Sequence, residues 1–404
     1  MKILIVNKFL YPNGGSETYI FQLGEQLAQM GHEVQYFGME HEGRIVGNAA
    51  ESYTSDMDFH SGKIKKLLYP FRIIYSREAR KKIRRVLEDF GPDAVHLNNF
   101  NFQLTPSILY EIADYGKAEG RKVRIVFTAH DSQLVCPNHL MQQYLTKDRC
   151  TKCIGGSPWN CAKYKCIHGS FVKSLLGSLE AWLYRGLKTY RFIDTVICPS
   201  GFLKDKLDTC PELKGKTVVL HNFVKSPGKP EEGKRGEERY ALYFGRFSKE
   251  KGIETLLEAC AGLKDIPFVF AGSGPLEKRV EQAENIKNSG FLTGRELQEL
   301  VAGAAFSLFP SECNENCPFS VMESVSLKTP VIGARIGGVP ELIQDGKNGL
   351  LFESGSAEEL TDKIRRLWQD EALCARLEEG CKETNFDTVE SYCQKLMAYY
   401  RAAG

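Results

Sequence analysis

Short uninterrupted apolar runs alternate with longer stretches of helical periodicity along most of the chain. In the first half the runs are Lys2–Asn7, His32–Gly38, Asp93–Asn98, Arg124–His130, Thr195–Ser200 and Thr217–Asn222. In the second half they are Tyr240–Phe247, Phe268–Ala271, Gly290–Leu292, Phe306–Pro310, Val331–Ala334 and Gly349–Phe352. They are rich in Val, Ile, Leu and Phe with no polar alternation, which suits strands covered on both faces. Helical patterns lie between them at Ser16–Met30, Lys63–Asp89, Gly252–Gly262, Pro275–Glu284 and Ala357–Asp370. This alternation predicts an α/β chain built of doubly wound parallel sheets.

The segment 225–239 contains no apolar residue and reads as a solvated linker. The chain then divides into a domain at 1–224, the linker at 225–239 and a domain at 240–384. Residues 385–404 form a C-terminal helix expected to pack back on the first domain. Two Rossmann-like domains facing one another create a cleft, and ligands of such sheets bind at the carboxyl ends of the strands.

Composition narrows the function. At 404 residues, 42% hydrophobic and 26% charged, the chain is an ordinary multidomain globular protein. A net charge of +2 is too small for a general nucleic-acid coat, so no nucleic-acid partner is expected. No apolar run reaches the roughly 18 residues of a membrane span. Met1 leads directly into a short strand-like run, not a signal peptide, which predicts a cytoplasmic protein. The charge is unevenly spread: residues 1–222 carry +8 and the remainder −6. Ten Lys/Arg against three acids crowd residues 61–90. The helix there, with Arg77, Arg80, Lys81, Lys82, Arg84 and Arg85 among its cations, reads in two ways: as a solvated face whose apolar side packs on the sheet, or as a face that docks reversibly on an anionic cytoplasmic leaflet, because like charges one turn apart repel.

Three motifs in the second half carry chemistry. After the run ending near Gly245, Arg246 and Lys251 fall in one short loop before a helix, an arrangement suited to an anion such as a diphosphate. Gly272-Ser-Gly274-Pro275 is a second strand-to-helix turn whose glycines allow close backbone approach. Pro310-Ser-Glu-Cys-Asn-Glu315 then leads through Asn316-Cys-Pro318-Phe319-Ser320 to Glu323 in the next helix. One loop carboxylate and one helix carboxylate suit two hydroxyl-rich parts of one ligand. Taken singly, each motif also reads as solvated surface charge or an ordinary turn.

Taken together and in order, Gly-Arg-x4-Lys-Gly, Gly-x-Gly-Pro, Pro-Ser-x3-Glu-x7-Glu and the later Gly-Gly-x-Pro-Glu resemble glycosyltransferase family 4. The resemblance covers most of residues 240–352. It implies a GT-B fold, retention of anomeric configuration and a nucleotide-diphosphate sugar as donor. It implies that Arg246 and Lys251 hold the diphosphate, Glu315 the donor-sugar hydroxyls and Glu323 the ribose. Backbone at Phe291, Leu292 and Thr293 would meet the base, and Gly245, Gly274, Asn316, Pro318, Phe319 and Ser320 complete the donor side. Many family members carry Gly-Phe-Gly after the first Glu; this chain has Asn316-Cys317-Pro318-Phe319 instead.

In the first half, Gly14-Gly15 precedes a helix and resembles the family's N-terminal glycine loop near the donor phosphates. His130 ends a buried run, where a histidine is often structural; the resemblance implies that it faces the donor sugar and serves transfer. His96 and Asn98 end the neighbouring run and are expected on the acceptor side. No catalytic metal is expected. The acceptor is expected to be a glycan or a lipid-linked glycan of cell-surface polysaccharide or glycolipid assembly.

Thirteen cysteines with no signal peptide do not describe a disulfide scaffold. Five of them fall between Cys136 and Cys166, in an insert at about 131–168. Cys150, Cys153, Cys161 and Cys166 are expected to hold a structural zinc, with Cys136 as an alternative ligand. Two other functions remain on the same residues: a nucleotide-sugar epimerase or phosphorylase on this fold, and a zinc-stapled binding protein without catalysis.

Overall fold

The computed structural model describes residues 1–55, 73–146, 148–225 and 238–402. The chain forms two compact units, Met1–Leu220 with Val389–Gly404, and His221–Thr388. Residues 226–237 of the expected linker lie outside the described residues.

The first unit carries a six-stranded parallel sheet in the order β2-β1-β3-β4-β5-β6. Its strands are β1 (Lys2–Val6), β2 (Glu33–Phe37), β3 (Ala94–Leu97), β4 (Arg124–Thr128), β5 (Thr195–Cys198) and β6 (Thr217–Val219). Strands β3, β4 and β5 are buried along their length or nearly so, as their unbroken apolar runs require. Each expected run loses a residue or more at its carboxyl end, because those residues turn into the loops that follow. The last helix, Val389–Arg401, belongs to this unit. Tyr392 and Tyr19 share a buried hydroxyl–hydroxyl hydrogen bond of 2.8 Å, and Arg124 Nε donates to the Tyr399 carbonyl at 3.1 Å.

The second unit repeats the plan in the order β12-β11-β10-β7-β8-β9. Its strands are β7 (Ala241–Phe244), β8 (Phe268–Ala271), β9 (Ile286–Asn288), β10 (Phe306–Phe309), β11 (Val331–Ala334) and β12 (Gly349–Phe352). One element differs from expectation. The edge strand is Ile286–Asn288, not Gly290–Leu292, because Gly290 takes a φ of +70° that ends the extended backbone. The expected helix at Pro275–Glu284 shortens to Glu277–Glu281.

In both sheets the first strand has neighbours on either side to which the chain crosses in opposite directions. The crevice therefore opens between β1 and β3 in the first unit and between β7 and β10 in the second. Both crevices lie at carboxyl ends of strands, where the sequence motifs fall.

The basic helix is shorter than expected. It spans Arg77–Phe90, capped by Ser76 Oγ accepting from Ala79 N at 3.0 Å and closed by Gly91 at φ +62°. The part of the expectation at 63–72 lies outside the described residues. Part of the repulsion is relieved within the unit: Arg80 pairs with Glu111 at 2.7 Å and Asp114 at 3.5 Å, and Arg84 with Glu88 at 2.7 Å. Its apolar stripe of Ala79, Ile83, Val86, Leu87 and Phe90 is buried in the core. Arg80 and Arg84 thus take acids from the protein itself, while Arg77, Lys81 and Arg85 are exposed. Among the described residues no helix is long and apolar enough to cross a membrane.

Candidate active site

The carboxyl end of the second sheet brings four loops together. The loop after β7 carries Arg246 and ends in the short 3-10 turn Lys249–Lys251. Gly252 follows at φ +72°, and a Cβ there would lie 1.9 Å from the Pro310 carbonyl. Only glycine lets the β7 and β10 loops approach so closely. The Glu250 carbonyl then accepts from Glu312 N at 3.0 Å and Cys313 N at 3.2 Å. The β8 loop is held the same way: at Gly272 a Cβ would meet the Gly245 carbonyl at 1.9 Å, and Phe247 N donates to Ser273 O at 2.8 Å. Gly245 and Gly274 thus sit on two backbones packed against each other.

Lys251 and Glu315, seven and six residues beyond different strands, meet at 2.5 Å. The same Glu315 oxygen accepts from Ser311 Oγ at 2.7 Å, and the Glu315 carbonyl accepts from Gly338 N at 2.8 Å. Burial by itself would lower the Lys251 pKa, but Glu315, with Cys313 and Glu250, raises it, so the ammonium stays charged. One of its three N–H groups is used by Glu315, and one carboxylate oxygen of Glu315 is free of these bonds. Arg246 is exposed, with no ion pair among the described residues. The site therefore presents an exposed guanidinium and a fixed ammonium at the mouth of the β7–β10 crevice.

Glu323 lies on the helix Phe319–Ser326, whose first residues follow Pro318. Val321, Met322 and Val325 are buried, and Ser324 Oγ bonds Ser307 Oγ of β10 at 2.6 Å, which fixes the helix rotation. Glu323 is left facing outward, and its crowded setting still pushes the carboxyl up to about 7 by desolvation. Asn316, Phe319 and Ser320 are half-buried beside it, and Cys317 is buried with its carbonyl accepting from Asn222 Nδ2 at 2.9 Å. Phe291 is 74% exposed, with Leu292 and Thr293 in the loop after β9.

In the first unit His130 stands two residues beyond β4. Its Nε2 lies 2.9 Å from Asn98 Oδ1, and its ring packs edge-on against Tyr19 at 4.9 Å. Asn98 Nδ2 donates to the Val6 carbonyl at 3.3 Å, which leaves Oδ1 as the acceptor and places the histidine proton on Nε2. Burial pushes the His130 pKa down to about 4 against the smaller pull of Asp131, so the ring is neutral at pH 7. Asn98 positions His130 and is itself fully buried. His96 is corrected: it is fully buried in β3, with Thr128 Oγ1 at 2.7 Å from Nε2 and Tyr400 on Nδ1. Burial first, and the nearby His130 second, lower it to about 3. It is a core histidine joining β4 to the last helix, not an acceptor-side residue.

Gly14 and Gly15 are exposed before the helix Gly15–Gln29. Buried Glu17 stands in its first turn, accepting from Asn7 Nδ2 at 2.8 Å and Ser16 Oγ at 2.9 Å. That carboxylate already satisfies part of the helix N-terminus for negative charge. Glu17, Ser311 and Gly338 were not singled out in the sequence; Gly338 lies in the Gly-Gly pair of the last motif, a visible signal with no visible partner.

In the insert, Cys153, Cys161 and Cys166 form one buried cluster under Tyr164 and Ile167. Cys136 is buried and Cys150 half-buried close by. Burial pushes the Cys153 thiol up to about 12, and the bond to Cys166 together with burial raises Cys161. Among the described residues no three His, Cys, Asp or Glu side chains are set to hold a metal ion. The bond to Cys161 draws the Cys166 thiol below its ordinary value, so the cluster is not uniformly raised.

Two family models match the chain. The one described as Glycosyltransferase Family 4 matches residues 13–226, and the one described as Glycosyl transferases group 1 matches residues 225–384. An uncharacterized glycosyltransferase of Methanocaldococcus jannaschii is 32% identical over 225 residues, 54% of this chain and 61% of that protein. The chain thus spans less than two thirds of that relative. The N-acetyl-alpha-D-glucosaminyl L-malate synthase of Bacillus anthracis is 22% identical over 96% of this chain and 93% of its own. Among solved structures, sucrose-phosphate synthase of Thermosynechococcus elongatus superimposes with a TM-score of 0.70 at 18% identity, covering 99% of this chain and 98% of that one. Anabaena HepE, solved with UDP, gives 0.65 at 17% identity and 98% coverage of both chains.

Proposed function

The chain belongs to glycosyltransferase family 4 and has the GT-B fold, and from that premise we propose that it moves a sugar from a nucleotide-diphosphate sugar to an acceptor hydroxyl with retention of configuration. The proposal extends to a glycan or lipid-linked acceptor in cell-surface polysaccharide or glycolipid assembly. The observation that carries it is the pairing of Lys251 with Glu315 beside an unpaired Arg246 at the β7–β10 crevice. An ammonium and a guanidinium suit a leaving diphosphate, and the adjacent carboxylate suits sugar hydroxyls. HepE has been solved with UDP-glucose, which supports a nucleotide-sugar donor for a chain of this fold.

In the proposed step the bond between the anomeric carbon and the phosphate oxygen breaks, leaving an oxocarbenium-like centre. The acceptor hydroxyl adds on the same face, and its proton passes to the leaving phosphate oxygen. Arg246 and Lys251 neutralise the charge that develops there, so no catalytic metal is invoked. Glu315 orients the donor sugar through its remaining oxygen. Glu323 accepts from ribose hydroxyls when ionised. His130, held neutral with its proton on Nε2, accepts a hydrogen bond from a sugar hydroxyl and adds no charge to the diphosphate. An epimerase or phosphorylase needs other groups on these loops, and no observation favours it.

For the insert, a structural zinc on four of the five thiols is retained as a proposal. Binding requires the ligand sulfurs to be thiolates, so uptake of the ion releases protons.

Calorimetry with a panel of nucleoside diphosphates tests the donor assignment. Micromolar-range binding of one of them, weakened by Arg246→Ala, is the expected result. No binding by any of them removes the transferase reading of this site.

A further inference from the structure

The helix Phe171–Gly186 is amphipathic in the reverse sense. Its inward residues are Ser174, Gly177, Ser178, Glu180, Ala181 and Tyr184. Its outward stripe, at helical spacing, is Phe171, Leu175, Leu179 and Trp182, flanked by Val172. Phe171, Val172 and Trp182 are more than half exposed, and the leucines are partly so. The polar side faces inward for a reason: it fastens the cysteine insert. Ser178 Oγ donates to the Pro158 carbonyl at 2.9 Å and accepts from Ala162 N at 3.1 Å, while Ser174 Oγ accepts from Ile167 N at 2.9 Å. With the polar face used in this way, no described residue of this unit covers the apolar face.

The insert extends that face. Trp159 lies 6.5 Å from Trp182, ring centre to ring centre. Tyr144 and Leu145 stand exposed next to Gly169, just before the helix. Eight of the eleven large apolar side chains exposed among the described residues fall between Leu140 and Leu187, so the concentration is a patch and not scatter. Its fringe is cationic: Lys163, Lys165, Lys173 and Lys188 are exposed, whereas Asp148 is the one exposed acid described in that span, Glu180 being buried.

We propose that this face, the outward side of Phe171–Gly186 with the tip of the insert, docks on an anionic lipid bilayer. Charge complementarity selects the occupant. A cationic fringe around tryptophan, phenylalanine and leucine matches the headgroup–acyl boundary of an anionic leaflet, where aromatic rings sit at the interface and lysines reach phosphates. A glycan surface would gain from the flat rings but nothing from Leu145, Val172 and the leucine stripe. The proposed docking surface lies on the insert side of the first unit, whereas the helix Arg77–Phe90 has its apolar face in the core. The inference stands independently of the transferase reading.

The test is flotation of the full chain with vesicles of pure phosphatidylcholine and with vesicles containing half phosphatidylglycerol, at low and high salt. Binding to the anionic vesicles that weakens with salt is expected. The double variant Phe171→Ser, Trp182→Ser should lower the partition coefficient at least tenfold, and Lys163→Glu with Lys165→Glu should remove the salt-sensitive part. These side chains are exposed, and an unchanged melting temperature and unchanged nucleotide affinity would confirm intact units. Quenching of tryptophan fluorescence by brominated lipid, lost in Trp182→Phe with Trp159→Phe, places the patch in the interface. No binding to anionic vesicles at low salt overturns the proposal, as does binding that both variants leave intact. Concentration-dependent self-association abolished by the serine variant, without vesicle binding, makes the patch an interface between copies instead.

Discussion

Mild acid should destabilise the first unit well above the pH at which ordinary carboxylates titrate. His96 is fully buried between Thr128 and Tyr400, with its pKa lowered to about 3, and His130 is lowered to about 4. An unfolded histidine titrates near 6.5. Both folded values are depressed, so their contribution is complete above pH 6.5 and is lost as pH falls toward 4. Between about pH 6 and 4.5 the two histidines make the unfolded unit bind close to two more protons, while buried Glu180, pushed up to about 8 by desolvation, makes the folded unit bind close to one more, so the net excess is close to one. At about 1.4 kcal/mol per proton and pH unit, stability should fall by about 1.4 kcal/mol per unit, or about 2 kcal/mol across that window. That is a measurable part of the 5–15 kcal/mol typical of a domain. His32, also depressed, adds in the same direction. In the second unit Glu323 has the opposite sign: its raised value makes the folded form bind more protons between about 4.5 and 7, so acid favours folding there. Hydrogen exchange read by mass spectrometry in urea, at pH 7, 6, 5 and 4.5, follows β3 and β4 separately from β7 and β10. The first pair should lose protection as pH falls and the second should not. His96→Gln should remove most of the slope. A wild-type stability that does not change with pH, or a slope that His96→Gln leaves unchanged, would refute the reasoning.

Arg246→Ala and Glu323→Ala should each weaken binding of the preferred nucleoside diphosphate by about 2 kcal/mol, as loss of a charge-assisted bond does; unchanged calorimetric affinity in both removes the diphosphate and ribose assignments. Because Glu323 titrates near 7, nucleotide affinity should drop by up to tenfold per unit as pH falls below that value, and Glu323→Gln should abolish this dependence. His130→Ala should leave nucleotide affinity within twofold while slowing transfer at least a hundredfold, and full turnover would end its assignment to the transfer step. Gly252→Ala, which would place a Cβ 1.9 Å from the Pro310 carbonyl at a φ of +72°, should cost about 2–4 kcal/mol in urea unfolding of the second unit. Elemental analysis should find close to one zinc per chain, released by chelator with loss of order in the insert, and a folded metal-free preparation would end the zinc proposal.

Much of the fold was legible because both sheets are buried on both faces, and burial writes itself into the chain as apolar runs such as Phe268–Ala271, Val331–Ala334 and Gly349–Phe352. The motifs of the second unit were legible only through their ordered resemblance to glycosyltransferase family 4, since each alone also reads as surface charge or an ordinary turn. What the sequence could not show was which side chains would meet. Lys251 and Glu315 are 64 positions apart and pair only because β7 and β10 are neighbours in the sheet. His96 and His130 look alike on paper, each at the end of an apolar run. The sheet places one inside, against Tyr400 from the far end of the chain, and leaves the other at the rim, held by Asn98. The basic helix looked unbalanced because its acids, Glu111 and Asp114, lie on the next helix. Phe171–Gly186 reads as an ordinary amphipathic helix, since periodicity gives the two faces without saying which one is inward. Local sequence sets backbone preference and the spacing of apolar groups, which depend on neighbours along the chain. Burial, charge pairing and protonation depend on neighbours in space, and only the packed sheets and helices decide those.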